Sequence, residues 1–191
     1  MDSRKAEKLN QLYESLADLI SEGEVEGLQG RGYAAGSLYE ENEKKLMIVG
    51  KTFAFEDTEF WGPIQHIAEH FLGKHCGEWT EYLAWSSLYK LTPKSGEPLS
   101  RELMEKQKDL CKEIILAELD LLEPTHVLFL TGWSGIWDFD LPISSLLKGE
   151  TLEGIGTTES GALLMVTRSN VRQLEGKFVH DVMDCIENDK A

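Results

Sequence analysis

Five cations stand just past apolar runs of this chain: Lys51, Lys90, Lys94, Arg168 and Arg172. Phe53, Phe55, Trp133 and Trp137 hold similar positions. Cations beside aromatic rings can hold an anion and stack a base, the stacking being worth ~1–3 kcal/mol per base. The plainer reading is that five of the 19 basic residues fall there by chance and that the rings close the rim of a core. A second pattern, His66-Ile67-Ala68-Glu69-His70, matches the His-x-x-Glu-His spacing of one metallopeptidase class. Two imidazoles four residues apart on a helix can share a zinc ion, so His66, Glu69 and His70 offer a zinc-hydrolase reading. On a helical wheel both histidines point away from the apolar face of Phe60, Ile64, Ile67 and Phe71, which places them in solvent. GxSxG, Walker A and GxGxxG segments are absent, and no cofactor is expected.

The elements that must position these residues are legible from periodicity. Apolar runs at 46–50, 83–89, 126–131 and 162–167 read as strands buried on both faces. Between them lie helical patterns. Residues 3–20 place Leu9, Leu12, Leu16 and Leu19 or Ile20 on one face, with Gly23 following as a stop. Phe60, Ile64, Ile67 and Phe71 form a second face; Leu103, Leu110, Ile114, Ala117 and Leu121 form a third, N-capped by Ser100 and stopped before Pro124. Asp140 and Gly149 bracket an expected short helix at 142–148, and Leu174, Phe178, Val182 and Ile186 make a last helical face. The glycine-rich stretch 27–39 reads as a loop. Strands alternating with helices predict an α/β domain over 1–191, with residues 1–40 as an N-terminal helix and loop packed on it. Ligands of such sheets bind beyond the carboxyl ends of the strands, where the five cations would gather.

Composition narrows the partners. Acidic residues number 34 against 19 basic ones, a net charge of −15. Nucleic-acid affinity comes largely from lysine and arginine neutralising phosphates, so an acidic chain makes a poor general DNA binder and any such contact must use a local patch. The same charge suits a basic protein partner. Three cysteines without CxxC spacing fit a reducing compartment, and the opening residues lack the apolar stretch of a secretory signal; a cytoplasmic protein is expected. No apolar run approaches the ~20 residues of a membrane span.

Leu46-Met47-Ile48-Val49-Gly50 before a polar loop resembles the first motif strand of the uracil-DNA glycosylase superfamily. Phe60-Trp61 opening the next helix is similar too, as are Ala84-Trp85-Ser86-Ser87-Leu88-Tyr89-Lys90 and the long helix leading to Pro124-Thr125-His126-Val127-Leu128-Phe129-Leu130-Thr131-Gly132. Thr167-Arg168-Ser169-Asn170 sits where that superfamily has its last motif. The likeness covers roughly 44–188 and is to a bacterial glycosylase-like branch. It implies a three-layer α/β/α sandwich around a central, mostly parallel four-stranded sheet. It also implies a pocket at the carboxyl edge for a nucleobase, a nucleotide or a phosphate, reached by single-stranded or damaged DNA or by a free nucleotide.

In that superfamily an N-glycosidic bond breaks through an oxocarbenium-like state. The chemistry asks for a polar residue or acid after the first strand, an Asn at the second and a His in the last motif. Here those places hold Lys51-Thr52, Ser87, and Arg168 or Ser169. The resemblance therefore implies Thr52 and Arg168 as catalytic candidates. It implies Gly50, Lys51, Phe53, Ser87, Lys90, Ser169, Asn170 and Arg172 as substrate-binding candidates. With all three chemical positions changed, excision is expected to be lost or altered. An altered route has the Arg168 guanidinium stabilising the departing base, Thr52 or Asp57 placing water, or Lys51 acting as a Schiff-base amine. The alternative from another class is a non-catalytic acidic module that binds a protein partner.

Overall fold

The computed structural model describes residues 2–19, 27–52, 61–73, 78–145, 150–168 and 175–188. In chain order the elements are helix α1 (Ser3–Asp18), strands β1 (Leu28–Gly30), β2 (Ala34–Ala35) and β3 (Leu46–Gly50), and helix α2 (Trp61–Leu72). Strands β4 (Leu83–Ser87) and β5 (Leu91–Pro93), helix α3 (Arg101–Leu122), strand β6 (His126–Leu130) and the single-turn helix α4 (Trp133–Ile136) follow. Strands β7 (Ile143–Ser145), β8 (Leu152–Thr157) and β9 (Leu163–Thr167) and helix α5 (Glu175–Asn188) complete the chain.

The four apolar runs become β3, β4, β6 and β9, which are mutually parallel neighbours. They are the centre of a larger sheet than expected. Among the described residues the order β2-β4-β3-β6-β9-β8-β7 makes seven strands, with β2, β8 and β7 antiparallel to their neighbours, so the sheet is mixed. Two expectations are corrected here. The predicted loop at 27–39 supplies β1, which pairs with β5 in a separate ribbon, and β2 at the sheet edge. The predicted helix at 142–148 gives way to β7, whose Ile143 lies opposite Gly156 of β8. Asp140 and Pro142 are good local helix-start residues, but β8 offers an open edge, and Pro142 just ahead of the strand removes no ladder donor. Residues 146–149 lie outside the described residues.

Every residue of β3 is buried, and alternate ones serve two cores. Met47 and Val49 join Val127, Phe129, Leu164 and Val166 beneath α1 and α3. Leu46 and Ile48 join Leu128, Leu163 and Met165 beneath α2 and α5. This double burial is why the strand sequences lack polar alternation. On one face α1 packs on α3, and on the other α2 packs on α5. Helix α3 starts as read: the Ser100 hydroxyl accepts the Leu103 N–H at 3.2 Å, and Glu123 closes it in the left-handed region. Among the described residues, no helix is long and apolar enough to cross a membrane.

The chain leaves β3 for β4 through α2, then returns through α3 to β6 on the other side of β3. The strand order thus reverses between β3 and β6, the place beyond whose carboxyl ends open parallel sheets bind ligands.

The β7 pairing has a direct test. A Cβ at Gly156 would lie 1.8 Å from the Pro142 carbonyl oxygen, whereas one at Gly30 meets nothing within 4 Å. Gly156→Ala is expected to cost at least about 2 kcal/mol in urea unfolding, with Gly30→Ala much milder. Equal small costs would mean that β7 does not sit against β8.

Candidate functional site

The carboxyl edge of the sheet is framed by the residues just past the strands. After β3, Gly50 is buried, while Lys51 and Thr52 are exposed. The carbonyls of Gly50 and Lys51 accept the N–H groups of Leu88 and Tyr89 at 2.8 and 3.2 Å, which ties this turn to the end of β4. Ser87 is also buried, and its hydroxyl donates to the Tyr89 carbonyl at 3.0 Å, so it holds its own turn. After β6, Thr131 and Gly132 lead into α4. Gly132 has φ 69 and ψ 159, a region open only to glycine. After β9, Arg168 is half-exposed and its Nε lies 3.8 Å from Glu153 Oε1. The other oxygen, Glu153 Oε2, accepts the Trp133 N–H at 2.6 Å. One carboxylate of β8 therefore links the ends of β6 and β9. Phe53, Phe55, Asp57, Ser169, Asn170 and Arg172 lie outside the described residues.

Two of the five cations are placed elsewhere. Lys94 follows β5 of the small ribbon, with its N–H donating to the Gly27 carbonyl, and so is not at an end of the large sheet. Lys90 is wholly buried and turns inward. Its Nζ lies 2.8 and 2.9 Å from the two oxygens of Glu118 on α3 and 2.6 Å from Ser86 Oγ. The Ser86 hydroxyl donates to Glu118 at 2.5 Å, and the Tyr13 hydroxyl of α1 donates to the same carboxylate at 2.5 Å. Lys90 thus spends its charge on an internal partner and offers none to a ligand at the edge. The physical reason is reach. Four residues past Ser86, a side chain as long as lysine can fold back to an acid buried on α3. The backbone there is matched by Gln107, whose Oε1 accepts the N–H groups of Lys90 and Leu91 and whose Nε2 donates to the Leu91 carbonyl.

Burial sets the electrostatics of this cluster. Desolvation pulls the Lys90 ammonium below its ordinary pKa, with Glu118 opposing. Desolvation likewise drives the Tyr13 phenol far up, assisted by Glu118. The Cys111 thiol, which donates to Gln107 Oε1 at 3.3 Å, is pushed up to about 11 by burial. Ser86 beside Lys90 has the composition of a serine–lysine nucleophile pair. Both are enclosed under α1 and α3 and fully hydrogen-bonded, so their role is structural.

His66 and His70 are exposed on α2, as the wheel implies. His70 Nε2 lies 3.2 Å from Glu187 Oε1, and the Glu69 carboxylate accepts from Gln65 Nε2 at 2.8 Å. Among the described residues, no group of three or more His, Cys, Asp or Glu side chains is placed to hold a metal ion.

No protein-family model matches the chain, and no match is found among curated proteins.

Sequence reasoning missed Glu153, Glu118 and Tyr13. Glu118 left a trace: it lies four residues past Ile114, on the buried stripe of α3. A charge on such a stripe demands a partner. Glu153 left none, because its contacts with Arg168 and Trp133 exist only once β8, β9 and β6 are assembled.

Lys90→Met strands the Glu118 carboxylate and is expected to lower stability by about 3–5 kcal/mol in urea melts, while Lys90→Met/Glu118→Leu regains most of that. A double variant no better than the single one would contradict the pairing. Alkaline titration gives a second check. The folded thiol of Cys111 ionises at about 11 rather than its ordinary 9. Stability is then complete below pH 9 and falls as pH rises toward 11, because the unfolded chain releases that proton first. Cys111→Ala should remove about 2–3 kcal/mol of that alkaline loss, read as denaturant midpoints between pH 8 and 11.

Proposed function

We propose that the chain is a uracil-DNA glycosylase superfamily-like protein, a three-layer α/β/α sandwich whose crevice at the carboxyl ends of β3 and β6 takes a nucleobase with its phosphate. The observation that carries this reading is the reversal of strand order between β3 and β6. On this reading Gly50-Lys51-Thr52 form one lip and Thr131-Gly132-Trp133 the other, with Arg168 two strands from β3. Parallel sheets with helices on both faces use this crevice because side chains cannot fill the gap between diverging connections. The continuous burial of β3, β4 and β9 supports the same architecture.

The described cations at this edge are Lys51 and Arg168. The Arg168 guanidinium, planar and permanently charged, suits a phosphate or a departing base anion, and Glu153 stands close enough to aim it. Thr52 is exposed beside Lys51 and offers a hydroxyl to water or to a base edge. No imidazole or asparagine stands at the described carboxyl ends of β3, β4, β6 and β9. Loss of one preorganised donor can cost 10²–10³ in rate, so recognition outlasts excision in this reading.

Binding is measured first, by equilibrium titration with nucleoside monophosphates and a short single-stranded oligonucleotide carrying uracil. Lys51→Ala and Arg168→Ala are each expected to weaken binding about tenfold, with base release from the oligonucleotide absent or very slow. Binding unchanged in both variants would overturn the assignment. Rapid base release abolished by Arg168→Ala would instead make the chain an active glycosylase with arginine in the place of histidine.

A further inference from the structure

On the α3 face lies a cavity of about 500 Å³, walled by the middle of α3 and by the segment that follows β6. Lys108, Asp109 and Lys112 line it from α3; Trp133, Trp137, Asp138 and Asp140 line it opposite. Trp137 is 66% exposed, an unusual position for the largest apolar side chain. The ring is nevertheless held. Trp133 packs against it edge-on, with centroids 5.6 Å apart. Trp133 in turn lies on Gly154, where even a Cβ would come within 2.7 Å of the indole. Trp137 is therefore a supported platform rather than a loose surface ring.

The charges around it are unequal. Lys112 is paired with Asp140, and Lys108 with Glu105 at 3.0 Å. Asp109 and Asp138, beside the exposed indole, make no ion pair within 4 Å among the described residues and feel the Lys108 ammonium only through space. An indole face with two carboxylates matches a guanidinium, which stacks on the ring and pairs with acids in the same plane. A phosphate chain is disfavoured, because both lysines of the cavity are already neutralised. The net charge of −15 draws basic partners from a distance.

We propose that this cavity is a docking site for a basic polypeptide segment, with one arginine of the partner seated on Trp137 between Asp109 and Asp138. Among the described residues, the lining includes none of Gly50, Lys51, Thr52 or Arg168. Trp133 borders both sites, but Trp137, Asp109 and Asp138 belong to this cavity alone, so a failure of their variants here leaves the edge of β3 and β6 untouched.

The test follows the indole N–H signal of Trp137 in the ¹H–¹⁵N spectrum, assigned by its loss in Trp137→Ala. The probe is a glycine-rich hexapeptide with two arginines, compared with the same peptide carrying citrulline, with spermidine and with an oligothymidylate. The arginine peptide is expected to shift the signal, and the neutral citrulline peptide to bind at least about tenfold more weakly. Spermidine and the oligothymidylate should leave the signal in place at matched concentration. By peptide titration, Trp137→Ala and Asp109→Asn/Asp138→Asn should each weaken binding about tenfold, while Asp184→Asn on α5 should not. Equal binding of the citrulline peptide, or binding indifferent to Trp137→Ala, would overturn the site. Saturation by spermidine as tight as by the peptide would assign it to small cations. A shift produced only by the oligothymidylate would assign it to nucleic acid, and either result would overturn the polypeptide partner.

Discussion

One buried carboxylate sets the geometry of the α3 face. Glu118 receives Lys90 from the turn after β4, Ser86 from β4 itself and Tyr13 from α1, so three elements converge on two oxygen atoms. A buried ion pair adds little net stability once desolvation is counted, but a partner left alone is costly. Its effect is therefore on specificity. Helix α3 can take only the rotation that points Glu118 at β4, and that rotation also aims Gln107 at the backbone of Lys90 and Leu91. Helix α1 is fixed in turn, by the Tyr13 hydroxyl within the core and by Lys5 on Asp120 and Glu123 at the surface. The surface contact is screened by solvent and contributes little, so the interior one decides where α1 lies.

The same pair shapes what the molecule can bind. A lysine that follows a parallel strand stands at the place where such sheets hold ligands, and Lys90 has that address in the sequence. Its position is decided instead by the cost of leaving Glu118 unpaired, several kcal/mol against the modest gain of one more exposed cation. The core thereby removes a charge from the edge. Glu153 works in the same direction, since an anion approaching Arg168 must compete with a carboxylate already 3.8 Å away and bonded to the Trp133 N–H.

What the sequence makes legible follows from how local each signal is. Strands β3, β4, β6 and β9 are visible because burial on both faces leaves runs of apolar residues with no polar alternation. The start of α3 is visible because a cap is a contact between residues three apart, Ser100 and Leu103. β7 is not, because its only reason to be a strand is Gly156, thirteen residues away from Ile143 on another strand. β2 is two alanines whose pairing with Ala84 and Trp85 no local pattern announces. At the carboxyl edge, Lys51, Thr52 and Arg168 keep the positions that the strand ends assign them. Ser87 and Lys90 share that local pattern but are redirected by hydrogen bonds to Tyr89 and Glu118.

These constraints together define the scale of any nucleic-acid contact. With Lys90 internal and Lys94 on the ribbon, the described edge carries Lys51 and Arg168, enough to neutralise about two phosphates. Counterion release scales with that number, so the salt dependence of binding would have a slope near −1.4 for a single strand rather than the −5 or steeper of an extended DNA track. Beyond such a footprint, a chain of net charge −15 repels further phosphates. Lengthening the strand therefore adds repulsion faster than contacts. On the proposed reading, a ligand with one or two phosphates would gain all that these two cations can give, and a long polyanion would gain nothing more.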